Sequence, residues 1–266
     1  MEFIIRNHLN VFVLKSKIPF QIQNGAGNKK EFTIKYLDKE YIFKRLHNDE
    51  EKLILYSYKN NNNCVILTIS KEKKAIVITS IGRFDKCVKG GLNVGSHLLR
   101  ITIKMVEKYK DYFNINRIVL SDNSIWKCKT GEELDMDKMM ILLTGDTWYG
   151  KYGFRPIHTD SYELNQTLNK IYDKNIKIMN NVKVKNVPIF KYLELINEKY
   201  SEEFPKDYLN IADTEKVRET LLKDFLSKFF DKISFDDTCR YFKLFYEELF
   251  EELELQVPAK MYGKFL

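Results

Sequence analysis

The chain has 266 residues, carries 44 Lys and Arg against 37 Asp and Glu for a net charge of +7, and is 44% hydrophobic and 14% aromatic. That length fits one large domain, or one of about 150 residues with a smaller companion, and the 18 Phe and 16 Tyr can fill a real core. Such a composition excludes intrinsic disorder, the 11 Gly and 5 Pro exclude collagen-like and low-complexity classes, and no apolar run reaches the roughly 18 residues of a spanning helix.

The N-terminal MEFIIRNHLNVFVLKSK has no basic segment ahead of an apolar core and no small-residue cleavage site, so it does not read as a secretory signal. FIIRNHLNVFVL reads as an early strand, and EFTIKYL with EYIFKRL as a hairpin turning at Asp38 and Lys39. KLILYSY, CVILTIS and KAIVITSI follow, separated by Asn60 to Asn63 and by Lys71 to Lys73, which predicts an antiparallel meander. The period then changes. Val94, Leu98, Ile101, Met105, Tyr109 and Tyr112 step by three or four, so 94–113 is predicted as an amphipathic helix. Asn116 to Ser121 reads as a short buried strand, and the polar WKCKTGEELDMDK leads into MMILLTGDTWYGKYGFRPI, read as a short helix, a turn and a strand. Further helices are predicted over Asn165–Asn180, Thr214–Ile233 and Phe235–Leu253, with a soft boundary near Pro188 and Asp213 or Thr214 as an N-cap. The expected fold class is α/β (α+β) with a mixed, mostly antiparallel sheet over residues 1–165 and a helical C-terminal extension over 166–266.

Cys64, Cys87, Cys128 and Cys239 are widely spaced and form no C-x-x-C pair. Disulfide scaffolding and zinc binding are therefore not expected, and a reducing, cytoplasmic location is the simpler expectation. The four histidines are equally scattered, which gives metal catalysis no support. Arginines are dispersed, whereas base-reading proteins cluster their Arg forks, so nucleic acid is not an expected partner and neither is a membrane.

The informative feature is the order meander, glycine turn, helix, strand. Gly90-Gly91-Leu92-Asn93-Val94-Gly95-Ser96 lies at the start of the predicted helix. Backbone N–H groups in such a turn, backed by the positive helix end, suit a diphosphate. No Lys-Ser/Thr follows the last glycine, so the turn is not a P-loop.

With VKGGLNVGSHLL at the turn, NRIVLSDN as the next strand and Trp148-Tyr149-Gly150-Lys151-Tyr152-Gly153-Phe154-Arg155-Pro156 beyond it, the sequence resembles the GNAT (Gcn5-related) N-acetyltransferase family over roughly residues 50–160. Gly90 stands where that family has Gln or Arg, and Asn93 replaces a motif glycine. The resemblance implies a sheet with splayed central strands and a cofactor, acetyl-CoA or another acyl-CoA, contacted by Ser80, Ile81, Gly82, Gly90, Gly91, Asn93, Val94, Gly95 and Ser96. Amides from Gly91 to Ser96 would hold its diphosphate. Strands KAIVITSI and NRIVLS would part around the pantetheine arm, and an N–H near Ser80 to Gly82 would stabilise the oxyanion. The amine acceptor, whose identity the sequence leaves open, would attack the thioester directly, and Tyr149 would protonate the departing thiolate.

The residues themselves leave the general base among Asp85, Asp122 and Asp146, each at or just beyond an element expected to rim the cleft; Asp122 is grouped with Tyr149 as the catalytic pair. Ser96 and His97 diverge by about 100° on a helix and lack a third member, so they are not read as a nucleophile pair. Phe225, Phe229, Phe230, Phe242, Phe245 and Phe250 are read as helix packing, with self-association or a protein partner through these helices left open. The alternative to an enzyme is an inactive GNAT-like interaction module.

Overall fold

The computed structural model describes residues 30–47, 51–57, 62–82, 87–88, 94–122, 125–128, 131, 133–200, 215–231 and 235–266. Its elements in chain order are β1 (Glu31–Tyr36), β2 (Lys39–His47), β3 (Glu51–Tyr56), β4 (Asn63–Ser70), β5 (Ala75–Ile81), α1 (Val94–Phe113), β6 (Arg117–Ser121), β7 (Ile125–Lys127), β8 (Glu133–Asp135), α2 (Met136–Thr144), β9 (Arg155–Pro156), α3 (Gln166–Met179), α4 (Ile189–Lys199), α5 (Glu215–Arg218), α6 (Leu222–Asp231), α7 (Phe235–Glu252) and β10 (Met261–Phe265). Two short 3₁₀ turns, Gly150–Tyr152 and Val184–Asn186, complete them. The class is mixed α/β with mostly antiparallel strand pairing and seven α-helices among the described residues. No described helix is long and apolar enough to cross a membrane. The early strand expected over FIIRNHLNVFVL and the expected N-cap at Asp213 or Thr214 lie outside the described residues.

The chain divides into two compact units, one comprising the described residues up to Ser121 together with 263–266, the other running from Asp122 to Tyr262. In the first unit, β1 to β5 form the expected antiparallel meander. The first hairpin turns at Leu37 and Asp38, one residue earlier than the sequence suggests; both are left-handed (φ 46° and 57°), the geometry that matches strand twist in a two-residue turn. β6 then pairs parallel to β5, and α1 supplies the crossover that parallel strands require. Strand β1 alternates exposed and buried residues, and its inward Phe32 packs 4.7–5.3 Å from the rings of Tyr109, Tyr112 and Phe113 at the end of α1. At the helix start, the Tyr36 hydroxyl lies 2.8 Å from His97 Nδ1. His97 therefore anchors α1 to the sheet. Asn114, left-handed at φ 52°, closes the helix.

In the second unit α2 is the central helix. It buries Met136, Asp137, Met139, Met140, Ile141, Leu142 and Leu143, so it is apolar nearly all round, as a helix enclosed by others must be. Asp135 caps it, its Oδ1 accepting from the N–H groups of Asp137 (2.9 Å) and Lys138 (3.3 Å), and Gly145 ends it in the left-handed region at φ 79°. Packed against α2 are α3, α6 and α7. The six C-terminal phenylalanines are all buried, with Phe230 against Phe242 (4.9 Å) and Tyr192 of α4 stacked on Phe245 (5.4 Å). They are core, as their spacing suggested.

Three features depart from the sequence reading. The polar stretch before α2 contains a small hairpin, β7 with β8. The helix expected over Thr214–Ile233 is broken at Glu219 to Leu221, because the Lys183 segment pairs with Leu221, with Leu222 N–H donating to Val182 O (2.9 Å) and Val184 N–H to Thr220 O (3.0 Å). Lys183 and Lys185 both pair with Glu219 there, at 2.7 and 2.5 Å, and hold its carboxyl down at about 2.

The third departure corrects the expectation that the cysteines build no disulfides. Cys64 is bonded to Cys87 in the first unit and Cys128 to Cys239 in the second, with Cα atoms 5.5 and 5.9 Å apart. A reducing compartment was the simpler expectation only while the thiols were unpaired, and it loses that support. The bonds close sequence separations of 23 and 111 residues. On chain entropy alone they are worth about 3 and about 5 kcal/mol respectively. Reduction should therefore lower the melting temperature, and Cys128→Ser with Cys239→Ser should lower it more than Cys64→Ser with Cys87→Ser. Calorimetry of the two double variants under non-reducing conditions checks the order; equal losses would contradict it.

Candidate functional site

The glycine turn falls mostly outside the described residues: Gly90, Gly91 and Asn93 are not described, and neither is Asp85. Val94 opens α1 as expected, and Gly95 in its first turn is buried. No acidic residue occupies that first turn, so nothing there opposes an anion at the positive helix end.

The strands flanking α1 are paired for only part of their length. Ala75 to Ile78 match Arg117 to Leu120, and the ladder stops there. At the same point β5 bulges against β4, where Ser80 faces Ile66 but Ile78 faces Leu67, leaving Thr79 as the extra residue. Gly82 N–H donates to Cys64 O at 2.7 Å. Amides alternate sides along a strand, so the Ser80 N–H also points towards β4 and the Ile81 N–H points to the opposite edge, past the last paired residue of β6. Of the three residues Ser80, Ile81 and Gly82, the geometry thus directs Ile81 to the opened side.

A cavity of about 440 Å³ also lies in this unit, lined by Arg45, Glu51, Ile69, Lys71, Tyr112, Phe113 and Asn114. It adjoins the C-terminal end of α1, a helix about 30 Å long at 1.5 Å per residue, and so lies far from the helix start. Burial works to raise the Glu51 carboxyl, but Lys71 (3.0 Å) and Arg45 outweigh it and hold the group below its ordinary value. Among the described residues, Glu51 is the only acid in the lining and is paired with both of its cations, which leaves one positive charge in excess there.

Tyr149 and Asp122 both belong to the second unit. Asp122 immediately follows β6 and is 1% exposed; its N–H donates to Lys260 O at 2.7 Å. Beside it is Asp137 in the first turn of α2, 2% exposed, which donates a hydrogen bond to Asp122. Burial first, then the charge of Asp122 and that hydrogen bond, push the Asp137 carboxyl up to about 9, with Asp135 adding to the effect and Lys260 opposing it. Asp137 Oδ1 has no hydrogen-bond partner. Neither has the hydroxyl of Tyr262, a side chain with 0% exposure whose ionisation burial and the charges of Asp137 and Asp122 strongly oppose. The Tyr149 ring lies 6.3 Å from that of Tyr262, tilted by 36°.

The W-Y-G-K-Y-G-F-R-P segment has a physical explanation for both glycines. Gly153 is left-handed at φ 85° and caps the 3₁₀ turn through its N–H to Gly150 O (2.8 Å). Gly150 has no room for a side chain, because a Cβ would overlap Asp146 Oδ1 and the Tyr172 hydroxyl. Those two groups form a short hydrogen bond with Tyr172 donating, and Arg155 covers the Tyr172 ring at 4.6 Å. Burial raises the Asp146 carboxyl although Tyr172, Thr147, Arg155 and Lys151 all act to lower it. Asp146 is thereby committed to holding the turn closed. Of the three base candidates, the described structure joins only Asp122 to a second acid.

Asp137 and Tyr262 were not singled out in the sequence. Asp137 falls at the end of the polar stretch WKCKTGEELDMDK, and no element is predicted over the last residues of the chain. Only burial marks them, and burial is a tertiary property.

No protein-family model matches the chain, and no curated protein or solved structure is similar enough to count as a match.

Two outcomes follow from this geometry. Gly150→Ala must drive Asp146 and Tyr172 apart, and should cost about 1–3 kcal/mol in a chemical denaturation experiment. Asp137 binds its proton more tightly folded than unfolded, so its contribution to stability is complete at acid pH and is lost as pH rises from about 4 through about 9. Asp137→Asn should flatten that fall, read as melting temperature against pH; an unchanged slope would contradict the raised Asp137 carboxyl.

Proposed function

We propose that the protein is an acyl-CoA-dependent N-acyltransferase with a GNAT-like catalytic domain, transferring an acyl group, acetyl in the simplest case, directly to an amine. The observation that carries the reading is the parallel pair β5 and β6, joined through α1 and paired over only four residues before β5 bulges. An opened parallel pair next to a helix start offers backbone amides to an extended, amide-bearing ligand arm and to an anion together. The resemblance in Trp148 to Pro156, whose two glycines are each required by local geometry, adds to it.

In this reading the amides from Gly91 to Ser96 bind the diphosphate, and the Ile81 N–H donates to the oxyanion as the amine attacks the thioester carbonyl. The sequence reading assigns the remaining two roles, base to Asp122 and acid for the thiolate to Tyr149, both within the second unit. Preorganised donation to an oxyanion contributes roughly 3–4 kcal/mol in acyl transfer, and a positioned acid about a hundredfold or more.

Acetyl-CoA should raise the melting temperature of the protein, and Gly95→Glu, which adds bulk and negative charge at the helix start, should abolish the rise. Tyr149→Phe should lower kcat by about a hundredfold while leaving acetyl-CoA affinity within about twofold. Differential scanning fluorimetry and detection of released CoA thiol measure both. A melting curve indifferent to acetyl-CoA and to CoA would remove the reading, whereas binding without thiol release for any amine would favour the inactive module.

A further inference from the structure

We propose that Cys64 and Cys87 are positioning residues for the cofactor, and that forming their disulfide sets the first turn of α1 for the diphosphate. The inference rests on the transferase reading for the identity of the ligand, but the clasp itself lies within the first unit and stands on geometry.

Cys64 is the second residue of β4, and it holds the chain that leaves β5 in two ways. Its carbonyl accepts from the Gly82 N–H at 2.7 Å, and its sulfur is bonded to Cys87, five residues further on. Cys64, Cys87 and Val88 are 0%, 2% and 1% exposed, so the bonded point is packed into the unit rather than laid on its surface. It falls between two features the ligand needs: β5, whose ladder to β6 stops at Ile78, and Val94, where α1 begins. Twelve residues, 82–93, join these elements, and the bond leaves six of them, 88–93, between a fixed point and the helix.

The ordering cost of a closed segment grows with its length, so a fixed point part-way along lowers what the ligand must supply on binding. The first N–H groups of a helix have no intrahelical partner and are the donors an anion takes. α1 itself is held elsewhere, with His97 2.8 Å from the Tyr36 hydroxyl and Phe32 against its far end. Loss of the bond therefore leaves the helix in place and releases the chain that leads to it. The other disulfide joins Cys128, next after β7, to Cys239 of α7, both in the second unit, and ties neither β5 nor α1. It is a built-in control.

The step is an oxidation whose atoms balance. The two thiols together give up two protons and two electrons as the S–S bond forms, and a small-molecule disulfide such as oxidised glutathione takes them up as it is cleaved to two thiols. Burial of both cysteines then shields the bond from reductants, so the device acts at maturation rather than as a reversible switch.

The test compares the two disulfides under non-reducing conditions. In calorimetric titration, Cys64→Ser with Cys87→Ser should weaken acetyl-CoA binding about tenfold, whereas Cys128→Ser with Cys239→Ser should leave it within about twofold although it lowers the melting temperature more. In the unliganded protein, hydrogen exchange at the Gly82 amide and in the opening turns of α1 should be faster in the first pair of substitutions and unchanged in the second. Should the serine pair fail to fold, Cys64→Val with Cys87→Ala, which keeps the site apolar, gives the same comparison. Undiminished affinity without the Cys64–Cys87 bond, equal losses in the two double variants, or unmoved exchange at Gly82 and α1 would each overturn the clasp. Failure of the wild type to bind acetyl-CoA or CoA, with the exchange result as expected, would remove the transferase reading instead.

Discussion

The interior of the second unit buries two acids beside one another, and burial together with the charge of Asp122 pushes the Asp137 carboxyl well above its ordinary range. Two buried carboxylates would each need their own compensating cation, and the nearest one, Lys260, lies 3.9 Å from Asp135 rather than between Asp122 and Asp137. The apolar residues of α2 make matters stricter. Asp137 sits one residue from Met136 and two from Met139, on a helix enclosed by the phenylalanines of α6 and α7. Burial there disfavours a second charge, which is why the Asp137 carboxyl is pushed towards its neutral form. The result is a folded state whose charge distribution depends on protonation, in a region where packing alone would favour leucine.

The first unit is governed by a different constraint, the ending of a strand pair. Once β5 and β6 run parallel, the segment between them must cross over the sheet, and α1 does so with Phe32 and Tyr36 of β1 fixing its two ends. The bulge at Thr79 breaks the alternation of β5 at the point where the ladder to β6 stops. Beyond it, among the described residues, β5 pairs with β4 alone.

Much of this architecture was legible because period carries it. The alternation in EFTIKYL and the three-and-four spacing from Val94 to Tyr112 decide β1 and α1 locally, and the structure places both where the pattern does. The break at Glu219 was not legible, since it is imposed by Lys183 and Lys185, more than thirty residues away in sequence. β7 and β8 are three residues each, too short for a period to declare itself. Wide cysteine spacing carried no information about pairing; the even number was the better signal, and folding brings Cys128 to a partner 111 residues on. At the site, Asp122 was visible as a residue just beyond a buried strand, while Asp137 lay unmarked in a polar stretch.

Each acid of the second unit is held in a different way, and the difference decides what each can do. Asp135 accepts two helix amides and so serves as the cap of α2. Asp146 is bound by the Tyr172 hydroxyl in a turn that only glycine at position 150 permits, so any gain of a proton there would loosen the turn. Asp137 is held differently again: burial and the charge of Asp122 drive its carboxyl towards the neutral form, the opposite of what a helix cap needs.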